Sequence, residues 1–258
     1  MPLPECFYKY RSLSTSENVE RVEDILVNNR LYFAPLKSFN DPFEGRVRIS
    51  YNAAPTQKLN SLRNYAIQTH GLSDLDASDW ASRAIEGHIE IPEALSSLTL
   101  RNGFRENGGF CTLSERNDDI LMWAHYADGH KGICIELKPR TATHIKIFQS
   151  GVPVVYQSDF PVIDFYEDPP SHQSAIAATA TKSDHWAYEK EWRLLCATAG
   201  IHNLPEGVIS GVIMGCAISD EHRTLVTEWA ARCSPPVLVY SASTKPREYA
   251  LDIVLVDS

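Results

Sequence analysis

Two glutamates one residue apart, followed by an arginine, form the group in this sequence whose residue types best suit chemistry. Glu189, Glu191 and Arg193 stand in the stretch WAYEKEWRL, among aromatic residues and before an apolar run. If residues 188–196 form a strand, alternation puts these three side chains on one face. Neighbouring carboxylates repel unless each has a donor, and one arginine meets only part of that need. The pattern fits either an exposed charged strand face or a pair of acids presented to a ligand rich in hydroxyls, such as a ribose.

A threonine and a serine alternate on a second predicted strand, in the stretch FCTLSE. There Phe110, Thr112 and Ser114 share one face, and the two hydroxyls can orient a bound sugar or a catalytic acid. The same pattern is typical of a strand that simply ends in polar residues. No GxSxG sequence surrounds Ser114, so a hydrolase nucleophile is disfavoured.

Histidines and a tyrosine occur in the stretch NDDILMWAHYADGHKGICIEL, which begins as a predicted helix. His125 and His130 are five residues apart, whereas a helical HExxH zinc site places its histidines four apart. Structural histidines are therefore the simpler interpretation. The turn that carries His130 and Lys131 is nevertheless placed where a phosphate could be bound.

The stretch SFNDPFEG is predicted to be an ordered loop. Asn40 and Asp41 favour Asx turns, and Phe39 and Phe43 are expected to anchor the loop on the core. A structural role is the default interpretation, although a rigid polar turn beside a cleft could also form the wall of a nucleotide site.

The elements that must position these groups are a mixture of strands and helices. Apolar runs and alternation predict strands at 7–11, 31–34, 108–115, 132–137, 152–157, 191–197, 207–216 and 237–240. Helical periodicity predicts helices at 16–29, 117–127, 173–182 and 219–232. Residues 55–105 are polar and poor in strand formers, which predicts a mainly helical insertion or cap. We therefore expect one α+β domain over 1–258, with a mixed or antiparallel central sheet and no phosphate loop of the Rossmann or P-loop type.

Charge and composition exclude several classes of protein. The formal net charge is −9 and no block of Lys or Arg stands out, so a dedicated nucleic-acid-binding module is disfavoured. Six cysteines without a CxxC favour reduced thiols over a disulfide framework or a zinc site. No apolar run approaches the roughly 20 residues that span a bilayer. The N-terminal sequence MPLPECFYKYRS has no signal-type apolar core, so a cytoplasmic protein without a membrane partner is expected.

Four of these stretches together resemble a widespread bacterial family of unknown function. They are YKYRSL, LYFAPLKSFNDPFEG, ILMWAHYADGHKGICIEL and HWAYEKEWRLL, which are similar to the FNDPFE, MWxHYADxHKG and YEKEWR signatures of that family. The similarity covers most of the chain apart from 55–105. It implies membership of the family without implying an activity.

A more distant similarity does imply one. An early-strand arginine, an aromatic-x-Thr-x-Ser strand and a late Glu-x-Glu strand resemble the Arg–Ser–Glu pattern of ADP-ribosyltransferases. The resemblance implies the fold of that superfamily, NAD as the substrate and no metal. It implies that Arg11 holds the NAD diphosphate, that Ser114 orients the nicotinamide ribose and the second acid, and that Glu191 binds the ribose 2′-hydroxyl. Glu189 would activate the acceptor. The nucleotide contacts expected beside Arg11 are Tyr10, Thr112, Phe39, Asn40, Tyr126 and Trp186.

Three functions remain open on the sequence. The first is an NAD-consuming transferase or NAD glycohydrolase, such as a toxin or an antiviral defence enzyme, whose acceptor is a protein, a nucleic acid or a small molecule. The second is a metal-dependent nuclease or phosphoesterase built on Asp41, Glu44, Glu189 and Glu191. The third is a non-catalytic ligand-binding or sensor module, in which the same residues form a pocket or a structural network. The sequence leaves the oligomeric state open.

Overall fold

The structure is a computed structural model that describes residues 3–90, 107–167, 174, 177 and 179–256. Its strands are β1 (Phe7–Arg11), β2 (Arg30–Phe33), β3 (Arg48–Ser50), β4 (Gly109–Ser114), β5 (Ile133–Leu137), β6 (Val152–Pro153), β7 (Val155–Gln157), β8 (Val162–Asp164), β9 (Thr181–Ser183), β10 (Glu191–Cys196), β11 (Gly200–Asn203), β12 (Ile209–Met214), β13 (Leu238–Thr244) and β14 (Leu251–Leu255). Its α-helices are α1 (Ser16–Asn28), α2 (Pro55–His70), α3 (Asp74–Ile85), α4 (Ile120–Tyr126), α5 (Ala142–Phe148) and α6 (Asp220–Arg232). Short 3-10 helices cover Leu36–Ser38 and Asp184–Glu189.

The chain divides into two compact units according to which residues pack together. The first unit comprises Met1–Ala34, Gly109–Val154 and Asp184–Ser258. The second unit comprises Pro35–Gly108 and Val155–Ser183. Every strand and helix that carries the predicted acids and hydroxyls belongs to the first unit.

A large mixed sheet organises the first unit. Within the described residues, eight strands lie in the order β14-β13-β12-β5-β1-β4-β10-β6. Neighbouring strands are antiparallel except β12 and β13, which are parallel. The α+β class and the mixed central sheet are thus confirmed. A smaller antiparallel pair, β2 with β11, completes the strands of this unit.

One face of the large sheet packs against α1 and α6. Its core includes Phe7, Ile135 and Trp192 from the strands, together with Leu26 and Trp229 from the helices. The N-cap of helix α1 is Thr15, one residue before the Ser16 at which the sequence pattern starts the helix. The Thr15 side chain accepts a hydrogen bond from the Asn18 amide. Burying each such large apolar side chain contributes roughly 1.5–3 kcal/mol to the stability of the fold. This cluster therefore stabilises the packing of α1 and α6 on the sheet.

The other face carries a second apolar cluster built around α4. Tyr10 packs edge-on against Trp123, and Cys134 and Ile213 lie beside them. Helix α4 is shorter than the predicted 117–127 because Asp119 caps it, accepting hydrogen bonds from the Leu121 and Met122 amides. This cap brings the end of the helix, with Tyr126, towards the strands that carry the predicted site.

The second unit contains α2, α3 and two parallel strand pairs, β3 with β8 and β7 with β9. Its core includes Leu62 and Ala81 of the helices and the rings of Phe165 and Tyr166. Helices α2 and α3 occupy the first part of the segment that was predicted to be mainly helical, and residues 91–105 of that segment lie outside the described residues. The predicted helix at 173–182 is wrong at its end, where β9 forms, and half of its other residues lie outside the described part.

In the part of the chain that the structure describes, no helix is both long enough and apolar enough to cross a membrane. All six cysteines lie within that part, and each is a free thiol there. Three of them, Cys111, Cys134 and Cys233, are buried.

Candidate functional site

The two glutamates occupy different elements. Glu191 opens β10, whereas Glu189 ends the 3-10 helix Asp184–Glu189, and Lys190 between them has a positive φ of 44°. The strand therefore begins at Glu191, close to the predicted 191–197, and the condition of a strand over 188–196, which would have aligned both acids by alternation, is not met. The left-handed residue turns the chain so that Lys190 is exposed while both acids are buried, Glu189 with 3% and Glu191 with 5% of their surface exposed. The interpretation as an exposed charged strand face is thereby excluded.

Arg193 and Glu191 form a buried ion pair. They lie two residues apart on β10, as the alternation predicts, and Arg193 Nε donates to Glu191 Oε1 at 2.7 Å. The arginine side chain is fully buried. Desolvating two charges costs several kcal/mol per ion, and their mutual attraction offsets that cost only in good geometry. The bond also fixes the orientation of the Glu191 carboxylate.

Glu189 is held at both its side chain and its backbone. The Tyr126 hydroxyl donates to Glu189 Oε1 at 2.6 Å, and the Ser114 hydroxyl donates to the Glu189 carbonyl at 2.6 Å. Ser114 also pairs with Glu191 in the register of β4 and β10. Because a serine hydroxyl has a single proton to donate, Ser114 acts here on the chain that carries the acids. It fastens the end of the 3-10 helix to the start of β10.

Strands β1 and β4 pair at one position, and the stretch beyond it without ladder pairing is called the gap between β1 and β4. Their register contains one pair, Tyr8 with Ser114, whereas β1 makes five pairs with β5 and β4 makes six with β10. Beyond that pair, the Lys9 ammonium bridges the two strands, donating to the Thr112 carbonyl at 2.6 Å and to Thr112 Oγ1 at 3.0 Å. Thr112 is in turn the partner of Arg193 across β4 and β10. Lys9 therefore contacts the cross-strand partner of Arg193, which belongs to the buried ion pair.

Lys9 is the site residue that the sequence interpretation missed. Desolvation lowers the pKa of its ammonium to about 8, against the opposing electrostatic attraction of Cys111 and Glu191. The signal in the sequence is weak: a lysine between two tyrosines in the short strand FYKYR. Only the folded chain brings this lysine into contact with Thr112, which is 103 residues away in the sequence.

Arg11 lies further along β1, at its end. It pairs with Ile133, while Ser114 is opposite Tyr8, so three residues, about 10 Å of strand, separate the two predicted partners. Desolvation lowers the pKa of the Arg11 guanidinium. Its Nε is buried and makes no hydrogen bond to any residue that the structure describes. The structure thus brings Ser114, Glu189 and Glu191 together. Arg11 lies apart from them, and its Nε–H makes no hydrogen bond within the described residues.

Half-buried aromatic rings lie beside Glu189. The Tyr188 hydroxyl is 2.9 Å from His125 Nδ1, and the Trp186 ring lies 6.1 Å from the Tyr188 ring. Burial, together with the nearby Glu189 charge, raises the pKa of Tyr188 to about 12. Tyr126 contacts Glu189, as described above. The predicted Tyr126 and Trp186 thus lie close to Glu189, Tyr126 through its hydroxyl and Trp186 through the Tyr188 ring.

Other predicted nucleotide contacts lie elsewhere. Tyr10 is buried against Trp123 and donates to the Arg116 carbonyl, so its ring serves the core. Phe39 and Asn40 belong to the second unit. There Asp41 forms the predicted Asx turn, accepting from the Phe43 amide at 2.9 Å.

Within that second unit, the loop also borders a pocket of about 230 Å³. The expectation that Phe43 anchors the loop on the core is wrong, because 56% of its surface is exposed. The residues that line the pocket include Asp41, Phe43, Glu44, Phe160 and Lys182.

No group of three or more His, Cys, Asp and Glu side chains within the described residues is arranged to hold a metal ion. The four acids considered for a metal-dependent nuclease, Asp41, Glu44, Glu189 and Glu191, therefore form no such group in that part of the chain.

Comparison with known proteins gives one match. Residues 122–194 match a protein family described as "Protein of unknown function (DUF2971)". The match runs from α4 to β10 and includes Tyr126, Glu189 and Glu191, so the resemblance to a family of unknown function is confirmed over this region. No curated protein and no solved structure matches the chain.

Proposed function

We propose that this protein consumes NAD, breaking the bond between nicotinamide and ribose and passing the ADP-ribosyl group to an acceptor or to water. The observation that carries the proposal is the buried pair Glu189 and Glu191, each held by a named donor, beside the gap between β1 and β4. Buried carboxylates are costly, and two of them that are each held by a donor suit a site where positive charge develops.

Glu191 is the group that stabilises the transition state. As the bond to nicotinamide breaks, its electron pair leaves with the ring and positive charge develops on the ribose carbon. A carboxylate that binds the 2′-hydroxyl favours this oxocarbenium-like state over the ground state. The Arg193 bond keeps the carboxylate oriented before the substrate arrives, so reorganisation during the reaction is small.

Glu189 serves the acceptor. When the acceptor oxygen or nitrogen attacks the ribose carbon, it must lose a proton, and Glu189 receives it as general base. The Tyr126 hydroxyl holds Glu189 Oε1, and Ser114 holds the Glu189 backbone, so both act as positioning residues for this step. The half-buried rings of Tyr126 and Trp186 offer faces on which a nicotinamide or adenine ring can stack.

Two cations on β1 suit the diphosphate. Lys9 contacts Thr112, the cross-strand partner of Arg193, and Arg11 follows two residues later, about 7 Å along the strand. In NAD, the diphosphate is one ribose away from the bond that breaks. The Arg11 Nε, which has no partner within the described residues, can donate to it. A cell exposed to such NAD consumption loses a central metabolite, which suits a toxin or a defence enzyme.

The test is to incubate the purified protein with NAD and to quantify free nicotinamide by chromatography. We expect release that depends on Glu191, and Glu228→Gln is the control because Glu228 is an exposed acid on α6. ADP-ribose as the co-product indicates a glycohydrolase, and ADP-ribosylated protein or nucleic acid indicates a transferase. If the wild-type protein releases no nicotinamide and calorimetry shows no binding of NAD, the proposal is wrong and a structural or non-catalytic binding role replaces it.

A further inference from the structure

A thiol and an imidazole face each other where β10 ends and β11 begins. Cys196 Sγ lies 3.6 Å from His202 Nδ1, a hydrogen-bonding distance for the larger sulfur atom. The other ring nitrogen, Nε2, lies 2.9 Å from the Thr198 carbonyl oxygen. The end of β10, the loop and β11 therefore bring three groups into successive contact: the Thr198 carbonyl, the His202 imidazole and the Cys196 thiol.

The carbonyl fixes the protonation of the ring. A carbonyl oxygen only accepts hydrogen bonds, so Nε2 must carry the proton that it shares with Thr198. In the neutral imidazole Nδ1 is then the basic nitrogen, and its lone pair faces the Cys196 thiol. A nucleophile next to a base that a third group orients is the arrangement that activates thiols in proteins.

We propose that Cys196 and His202 form a reactive thiol site at which hydroperoxides oxidise this protein. His202 Nδ1 takes the thiol proton, and the sulfur attacks one peroxide oxygen. The S–O bond forms as the O–O bond breaks, and the leaving hydroxide or alkoxide takes the proton from His202 to give water or an alcohol, respectively. The sulfur is oxidised by two electrons to a sulfenic acid, and the peroxide is reduced.

The other cysteines provide the comparison. Cys196 is half-buried and thus reachable by a small peroxide, whereas Cys111, Cys134 and Cys233 are buried. Cys216 is more exposed than Cys196 and makes no hydrogen bond within the described residues. Exposure alone therefore predicts that Cys216 reacts faster, whereas the histidine predicts that Cys196 does.

The site is separate from the carboxylate pair. Cys196 lies at the opposite end of β10 from Glu191, opposite Gly109 of β4. His202 packs edge-on against Phe33, with ring centroids 5.0 Å apart. The proposal therefore does not depend on cleavage of NAD, and His202→Phe can replace the imidazole by another flat ring in the same contact.

The experiment treats the protein with hydrogen peroxide and dimedone at pH 7 and measures labelling of each cysteine peptide by mass spectrometry. We expect Cys196 to be labelled about tenfold or more faster than Cys216, because general bases typically contribute 10²–10⁴-fold. His202→Phe should lower the Cys196 rate to that of Cys216 or below, and leave the Cys216 rate unchanged. His202→Gln, which keeps a donor for the Thr198 carbonyl, should do the same.

Melting curves of both variants confirm that the fold is retained, and either folded variant suffices for the test. Equal labelling of the two thiols in the wild-type protein overturns the proposal. So does a Cys196 rate that loss of the imidazole leaves unchanged, since the hydrogen bond is then purely structural.

Discussion

Arg193 and Glu191 depend on each other, because each is a charge that the fold has removed from water. Replacing the arginine by an apolar residue leaves the carboxylate buried beside the lost partner. We therefore expect Arg193→Met to lower the free energy of unfolding by about 3–5 kcal/mol, measured by urea denaturation.

Two comparisons isolate the cause. Arg116→Met, which removes an exposed partner of Asp118, should cost no more than about 1 kcal/mol. The double variant Glu191→Gln with Arg193→Met should regain much of the lost stability, because no unpaired charge remains. If Arg193→Met costs as little as Arg116→Met, the pair is not the buried ion pair described above.

Lys9 gives the site a pH dependence. Desolvation lowers the pKa of the folded-state ammonium from the ordinary lysine value of 10.5 to about 8. Between these two values the unfolded chain binds a proton that the folded protein has released, so the contribution of Lys9 to stability rises with pH. Below about pH 8 the ammonium is charged in both states and the contribution no longer changes.

The measurement is the difference in unfolding free energy between the wild type and Lys9→Met at several values between pH 7 and 10. We expect the difference to shift in favour of the wild type above about pH 8. The exposed lysine variant Lys131→Met is the control and should follow the wild type. A Lys9→Met difference that stays constant over this range would contradict a desolvated ammonium in the gap between β1 and β4.

At the scale of the element, the turn at Lys190 between the 3-10 helix and β10 determines how Glu189 and Glu191 are placed. Lys190 has a left-handed backbone, and its carbonyl accepts a hydrogen bond from the Glu115 amide. A β-branched side chain is strained in this conformation and glycine is not. We expect Lys190→Val to be less stable than Lys190→Gly by about 1–2 kcal/mol in denaturation.

The same pair of variants connects this element to the chemistry. Lys190→Val should also release nicotinamide from NAD more slowly than Lys190→Gly, because relaxing the strained residue moves Glu189 relative to Glu191. The two variants differ only at an exposed side chain. Equal stability and equal rates would therefore mean that the left-handed turn does not position the acids.

Local patterns predicted some elements well and failed at others for a physical reason. The alternation in FYKYR predicted β1 over Phe7–Arg11, and the hydroxyl strand at β4 was also expected. The turn at Lys190 was missed because EKEWR alternates like a strand, while the actual path follows from the Ser114 bond to the Glu189 carbonyl. Such a contact between residues distant in sequence leaves no local periodicity.

At the scale of the whole molecule, the sequence predicted the α+β class and a mixed or antiparallel sheet. It did not predict that β1 and β4 pair at one position. The gap that brings Lys9 to Thr112 depends on pairing between segments about one hundred residues apart. The sequence predicted Glu189 and Glu191 as a group. It did not predict their burial or the different donor that each of them has, because both depend on contacts made in the folded chain. Phe39 and Asn40 were grouped with them by motif alone, and the fold assigns these two residues to the second unit.

The most direct test of the central claim is the initial rate of nicotinamide release from saturating NAD by Glu191→Gln relative to the wild type. Glutamine keeps the shape and loses the charge, so binding of NAD should persist while stabilisation of the oxocarbenium-like state is lost. We expect the rate to fall about 10²–10³-fold, the usual effect of removing one group of this kind. Release by Glu191→Gln at the wild-type rate would contradict the account, because the buried carboxylate would then have no part in the reaction.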